Sequence, residues 1–129
     1  MIVVDSSVWI AKLRGLRNEA TMLLESIDDL RQILVGDVIL LEVLQGARSD
    51  AKARTIERSL RSFRIEAMMS PGLSVKAAAN YRLLRSRGFT IRGPLDIIIG
   101  TFCIEHSHVL LHSDRDFALM EEHLGLKVL

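Results

Sequence analysis

Apolar residues along this chain fall into two kinds of run, and their alternation predicts the architecture. Ile2-Val3-Val4 is short and continuous, as in a strand buried on both faces of a parallel sheet, and Asp5-Ser6-Ser7 ends it. Val8 to Leu13 reads as a turn or two of helix, with Asp5, Ser6 or Ser7 as its cap. Over 17–30 the positions Ala20, Leu23, Leu24 and Ile27, followed by Leu30, recur at helical spacing and predict an amphipathic helix. Ile33 to Val35 is a second strand closed by Gly36. Asp37 then caps a helix, DVILLEVLQG, that Gly46 ends.

The second half continues the pattern. A helix over 50–61 carries Ala53, Ile56 and Leu60 on one side, and Phe63 to Ala67 is a short, weakly marked third strand. Residues 74–87 form a helix packed through Val75, Ala78, Ala79 and Leu83 and ended near Gly88. Pro94 suits the first position of a helix running to about Glu105. Val109 to His112 is a fourth strand, Ser113 to Phe117 enters a short helix, and Gly125 to Leu129 supplies the last strand. Strands alternating with helices predict an α/β fold with a mostly parallel sheet and helices on both faces.

Size and composition narrow the choices. A chain of 129 residues with two prolines, eight glycines and no repeat is read as a single domain, 1–129, able to bury one core. No run reaches the roughly 18 to 20 apolar residues of a membrane span. The opening MIVVDSSVWI lacks a basic leader, so no membrane association and no signal peptide are expected. The lone Cys103, within IIIGTFCI, is expected to be a buried and inert thiol, consistent with a cytoplasmic location.

The formal net charge of +1 conceals an asymmetry. Residues 1–47 carry 4 basic and 7 acidic groups, 48–92 carry 11 and 3, and 93–129 carry 2 and 6. Between Glu66 and Asp96 there is no acid, but Lys76, Arg82, Arg85, Arg87 and Arg92 are present. Any one of these suits a solvated helix face. A block so one-sided also attracts a polyanion.

Candidate chemistry resides in carboxylates. Asp5, Asp96 and Asp114 sit where an apolar stretch gives way to a turn or helix start, and each has an ordinary use there. Asp5 can cap a helix, Asp96 falls at the third helical position after Pro94, and Asp114 or Asp116 can be turn and capping residues. Glu42 differs: within VILLEVL it should be at least partly buried, where an unpaired carboxylate is unfavourable unless a metal or an arginine stands near. Sites in such sheets lie at the carboxyl ends of strands where strand order reverses. Were the first and fourth strands neighbours, Asp5, Asp114 and Asp116 would meet there, and clustered acids call for a divalent cation.

The joint pattern MIVVDSSVWI, LLEVLQG, PLDIIIG and LLHSDRDF resembles the PIN-domain ribonucleases, above all the VapC-type toxins of toxin–antitoxin pairs, over essentially the whole chain. The resemblance implies a three-layer PIN-like fold with a five-stranded parallel sheet in the order 3-2-1-4-5. It matches Asp5, Glu42, Asp96 and Asp114 to the family's acidic quartet, Asp116 to a further assisting acid, and Ser6 and Ser113 to hydroxyls beside the metal. Asp5, Asp96 and Asp114 would hold Mg²⁺, with Mn²⁺ as substitute, and RNA would be cut to leave 5′-phosphate and 3′-hydroxyl ends. Some of Arg87, Arg92 and Arg115 would grip its backbone. A VapB-type antitoxin and a second copy in a homodimer are the implied partners.

Other features carry less. His106, His108 and His112 hint at a metal cluster but have no cysteine partners; His106 and His108 flank a turn and read as exposed or capping residues, and no serine nucleophile elbow or phosphate-binding glycine loop is present. Trp9 suits the core, while Tyr81 offers a surface for a base. Two other readings remain. A receiver-like Mg²⁺-binding signalling domain is also α/β with an acidic pocket, but wants paired acids after the first strand and an Asp after the third. A catalytically idle module would act only by binding a partner.

Overall fold

The computed structural model describes residues 1–129 and contains five strands and seven helices. In chain order they are β1 (Ile2–Val4), α1 (Ser6–Leu13), α2 (Glu19–Glu25), β2 (Ile33–Gly36), α3 (Asp37–Gln45) and α4 (Asp50–Leu60). There follow β3 (Arg64–Glu66), α5 (Pro71–Ser86), α6 (Pro94–Glu105), β4 (Val109–Leu111), α7 (Arg115–Leu124) and β5 (Lys127–Val128). All neighbouring strands pair parallel, in the order β3-β2-β1-β4-β5. The implied strand order is thus present.

The central strands read as continuous apolar runs because both faces are covered. Val3, Val4, Leu34, Val35 and Leu110 are completely buried. Ile39 from α3, Ile99 from α6 and Phe117 from α7 join the same core. Gly100 lets α6 and α7 approach closely, since a Cβ there would stand 2.2 Å from the Met120 sulfur. After α7, Gly125 takes a left-handed φ of 76° and turns the chain into β5.

Element boundaries differ from expectation where local hydrogen bonds intervene. The helix expected over 17–30 is only Glu19–Glu25, opened by a capping box between Asn18 and Thr21 and followed by a separate 3₁₀ turn, Leu30–Gln32, that Asp29 caps. The fifth helix starts at Pro71, not residue 74, because Ser70 accepts from the Leu73 N–H. The last strand is shorter than expected and β4 stops before His112.

Asp37 does not cap α3; Gly36 occupies that position. Asp37 instead accepts from the Val38 N–H at 2.8 Å and the Met68 N–H at 2.9 Å, tying the segment after β3 to the start of α3. Asp37→Ala leaves the Met68 N–H without its partner and should lower stability by about 1 kcal/mol, read as a lower urea midpoint at unchanged slope.

Candidate functional site

Parallel strands end at a common edge, so β1 and β4 deliver acids to one place. The Asp5 N–H donates to the Leu111 carbonyl at 2.9 Å, carrying the β1–β4 ladder one residue past Val4. This is the point where the chain order of the sheet reverses.

Asp5 caps α1, which therefore starts at Ser6 and not at Val8. Asp5 Oδ2 accepts from the Ser7 N–H at 3.0 Å and from the Ser7 hydroxyl. Its Oδ1 has no partner although the residue is only 3% exposed. A buried carboxylate oxygen with nothing to accept from is unfavourable unless a cation meets it.

The other acids converge from three helices. Glu42, half-buried on α3, accepts from the Ser6 hydroxyl at 3.1 Å. Asp96 is half-buried in the first turn of α6. Asp114 caps α7 by accepting from the Asp116 N–H at 2.9 Å, while its own N–H donates to His112 Nδ1 at 3.2 Å. Asp116 is 7% exposed and accepts from the Arg92 N–H at 3.3 Å. One oxygen from each of Asp96, Asp114 and Asp116 lies within 4.8 Å of the others.

Electrostatics bind the five into one cluster. No lysine or arginine side chain forms an ion pair with any of them. Burial, then the charges of Asp5, Asp114, Glu42 and Asp116, push the Asp96 carboxyl up to about 7. Burial raises Asp5 too, partly offset by the bonds from Ser7 and Ser6, and the Asp114 charge adds to the rise. Glu42 is likewise raised by burial, lowered by Ser6, and raised by Asp5 and Asp114. Oxygen donors, repulsion and an orphaned buried oxygen together fit a hard divalent cation.

The trio of Asp96, Asp114 and Asp116 shares Asp96 and Asp114 with the expected ligand set of Asp5, Asp96 and Asp114. Asp5 is coupled by charge to Asp96 and Asp114, and its Oδ1 has no hydrogen-bond partner. Two supporting residues were not legible as such. The Ser7 hydroxyl holds Asp5, while that of Ser6 turns to Glu42, and the Ser7 hydroxyl also accepts from the Ser113 N–H at 3.4 Å. His112 braces the Asp114 backbone and packs on Phe117 with ring centroids 5.2 Å apart. The Asp-x-Ser spacing, which permits a side-chain turn over two residues, was the available signal for Ser7.

Comparison with known proteins agrees with this geometry. The PIN-domain family model matches residues 2–122. This chain belongs to the PIN-domain family. The PIN domain is 29% identical over 123 residues to ribonuclease VapC11 of Mycobacterium tuberculosis, covering 91% of this chain and 89% of that protein. The same figures hold for VapC ribonuclease Mb1587 of Mycobacterium bovis. Among solved structures, FitAcB from Neisseria gonorrhoeae superposes with a TM-score of 0.76 at 21% identity, covering 99% of this PIN domain and 96% of that chain. VapBC2 from Rickettsia felis, bound to a DNA fragment from its promoter, gives 0.76 at 15% identity over 100% and 98%. These two likenesses show the shared fold.

The remaining expectations can be placed. Cys103 is fully buried and its thiol is pushed up to about 12 by burial, so it stays protonated. Trp9 is in the core against Phe63, with ring centroids 5.3 Å apart. His106 is held by the Phe102 carbonyl at 2.9 Å. The Arg87 guanidinium lies 3.2 Å from His123 Nδ1, against α7. No helix is long and apolar enough to cross a membrane. No aspartate follows β3, as a receiver would require.

Proposed function

We propose that this PIN domain is an endoribonuclease dependent on Mg²⁺, with Mn²⁺ as substitute, and the toxic member of a toxin–antitoxin pair. The observation that carries the reading is five acids coupled by charge with no cationic partner, the orphaned Asp5 Oδ1 among them. Ribonuclease relatives named VapC support RNA as substrate. Residues 1–129 are taken as one domain, since the first and last strands belong to the same sheet.

Asp5, Asp96 and Asp114 would hold the cation, with Asp116 assisting. A bound divalent cation supplies Lewis acidity toward the phosphate and makes a water acidic enough to attack at neutral pH. Ser7 keeps Asp5 Oδ2 occupied and leaves Oδ1 as the oxygen that would hold the cation. Ser6 fixes Glu42, whose raised pKa suits a group that orients the attacking water and takes its proton. Hydrolysis breaks the bond from phosphorus to the 3′-oxygen, leaving a 5′-phosphate and a 3′-hydroxyl. Ser6→Ala frees Glu42 and should lower kcat about tenfold with KM little changed, as steady-state rates on a defined RNA would show.

A VapB-type antitoxin is the proposed partner in the cytoplasm, a reading supported by neighbours of this fold that are themselves VapBC complexes. Exposed apolar side chains such as Leu13, Leu16, Leu41 and Val75 support protein contacts, including a homodimer.

The test is incubation of the purified protein with RNA in Mg²⁺, Mn²⁺ or chelator. Cleavage with either metal, none with chelator, and ends that ligate as 5′-phosphates are expected. RNA left intact in both metals after long incubation favours the idle binding module.

A further inference from the structure

The groove between α5 and α6 is not accounted for by the acid cluster. Its volume is about 510 Å³, within the range of ligand-sized pockets. Buried Ile91 and Ile97 give it an apolar floor, and half-buried Tyr81 forms a wall. Exposed Arg82, Arg85 and Arg92 surround it, and no acid lines it. The Arg85 guanidinium lies over the Tyr81 ring, 5.8 Å from its centre, so the pair forms a cation–π stack whose outer faces are flat.

The groove and the acid cluster share Arg92. Its side chain lines the groove while its backbone N–H donates to Asp116. Pro94 and Ile97, on either side of Asp96 along α6, line it as well. The groove and the acid cluster are therefore joined through Arg92 and the first turn of α6.

We propose that this groove is a subsite for one unpaired RNA base adjacent to the cleaved phosphate, stacked on Tyr81 and Arg85, with Arg82 and Arg92 holding the flanking phosphates. The chemistry selects the occupant. Three guanidiniums without a carboxylate attract a polyanion, and a flat stack over an apolar floor suits a base freed from pairing. Duplex RNA keeps its bases stacked and cannot present one, so the groove favours single strands. The proposal rests on the endoribonuclease reading for the identity of the polymer as substrate.

Binding without chemistry separates the two. The affinity of a fluorescein-labelled single-stranded RNA oligonucleotide is measured by anisotropy in chelator, where nothing is cut. Tyr81→Ala and Arg85→Ala should each weaken it roughly tenfold, while Tyr81→Phe, which keeps the ring, retains wild-type affinity. Arg82→Ala should lower the slope of log affinity against log salt by about one, and Tyr81→Ala should leave that slope unchanged. An oligonucleotide with abasic positions should bind wild type and Tyr81→Ala alike. Wild-type affinity in Tyr81→Ala, a Tyr81 effect that persists on abasic RNA, no measurable wild-type binding, or displacement by an acidic peptide in place of RNA overturns the proposal. Cleavage in Mg²⁺ with KM unaffected by Tyr81→Ala sinks the subsite but spares the nuclease. A Tyr81-dependent affinity in a protein that never cuts does the reverse.

Discussion

Replacing Asp5 or Asp96 by asparagine is expected to lower RNA cleavage at saturating Mg²⁺ by at least about a thousandfold while the fold survives. Asparagine keeps an oxygen for the Ser7 N–H and hydroxyl that now bond to Asp5 Oδ2, so the cap of α1 is preserved. What disappears is negative charge on the orphaned Oδ1 side, or on the acid that four others already press. Initial rates on a defined RNA, with circular dichroism melts of the same preparations, separate chemistry from folding. A variant that melts like wild type and cuts within tenfold of it would remove these acids from the site.

The second large effect has the opposite sign. In chelator at pH 8, Asp96→Asn should be more stable than wild type. Its carboxyl titrates near its ordinary 3.8 when unfolded and at about 7 when folded, so the folded state binds the proton more tightly. That contribution is complete below 3.8 and is lost as pH rises through about 7. Discounted for partial exposure, the loss is about 2 kcal/mol, enough for a melting shift of several degrees. Asparagine has no proton to lose, so the gap between the two proteins should close toward pH 4 and open above pH 7. Saturating Mg²⁺ should reverse the order, because only wild type retains a full ligand set. Equal melting curves at pH 8 without metal would mean that Asp96 is not under the pressure its surroundings imply.

Both effects come from one placement, and that placement was legible in part. The apolar runs around Val3 and Leu110, each closed by a polar turn, marked buried strands whose ends carry acids. Glu42 stood out because a charge within VILLEVL needs a reason to be there. The helix expected over 17–30 was cut short because Ser26 and Asp29 bond locally and periodicity does not see such bonds. The role of Asp37 was missed for a related reason: its partner, the Met68 N–H, lies 31 residues away.

The sequence by itself determined the elements, the fold class and the acids worth watching, because period and burial preference are local properties of the chain. Only the tertiary structure decided that Asp96, Asp114 and Asp116 meet, that Ser7 holds Asp5, and that Tyr81 shares a groove with three arginines. Those facts depend on which strands pair and how helices lie across them. Distances between residues far apart in the chain follow from packing, which no short stretch of residues specifies.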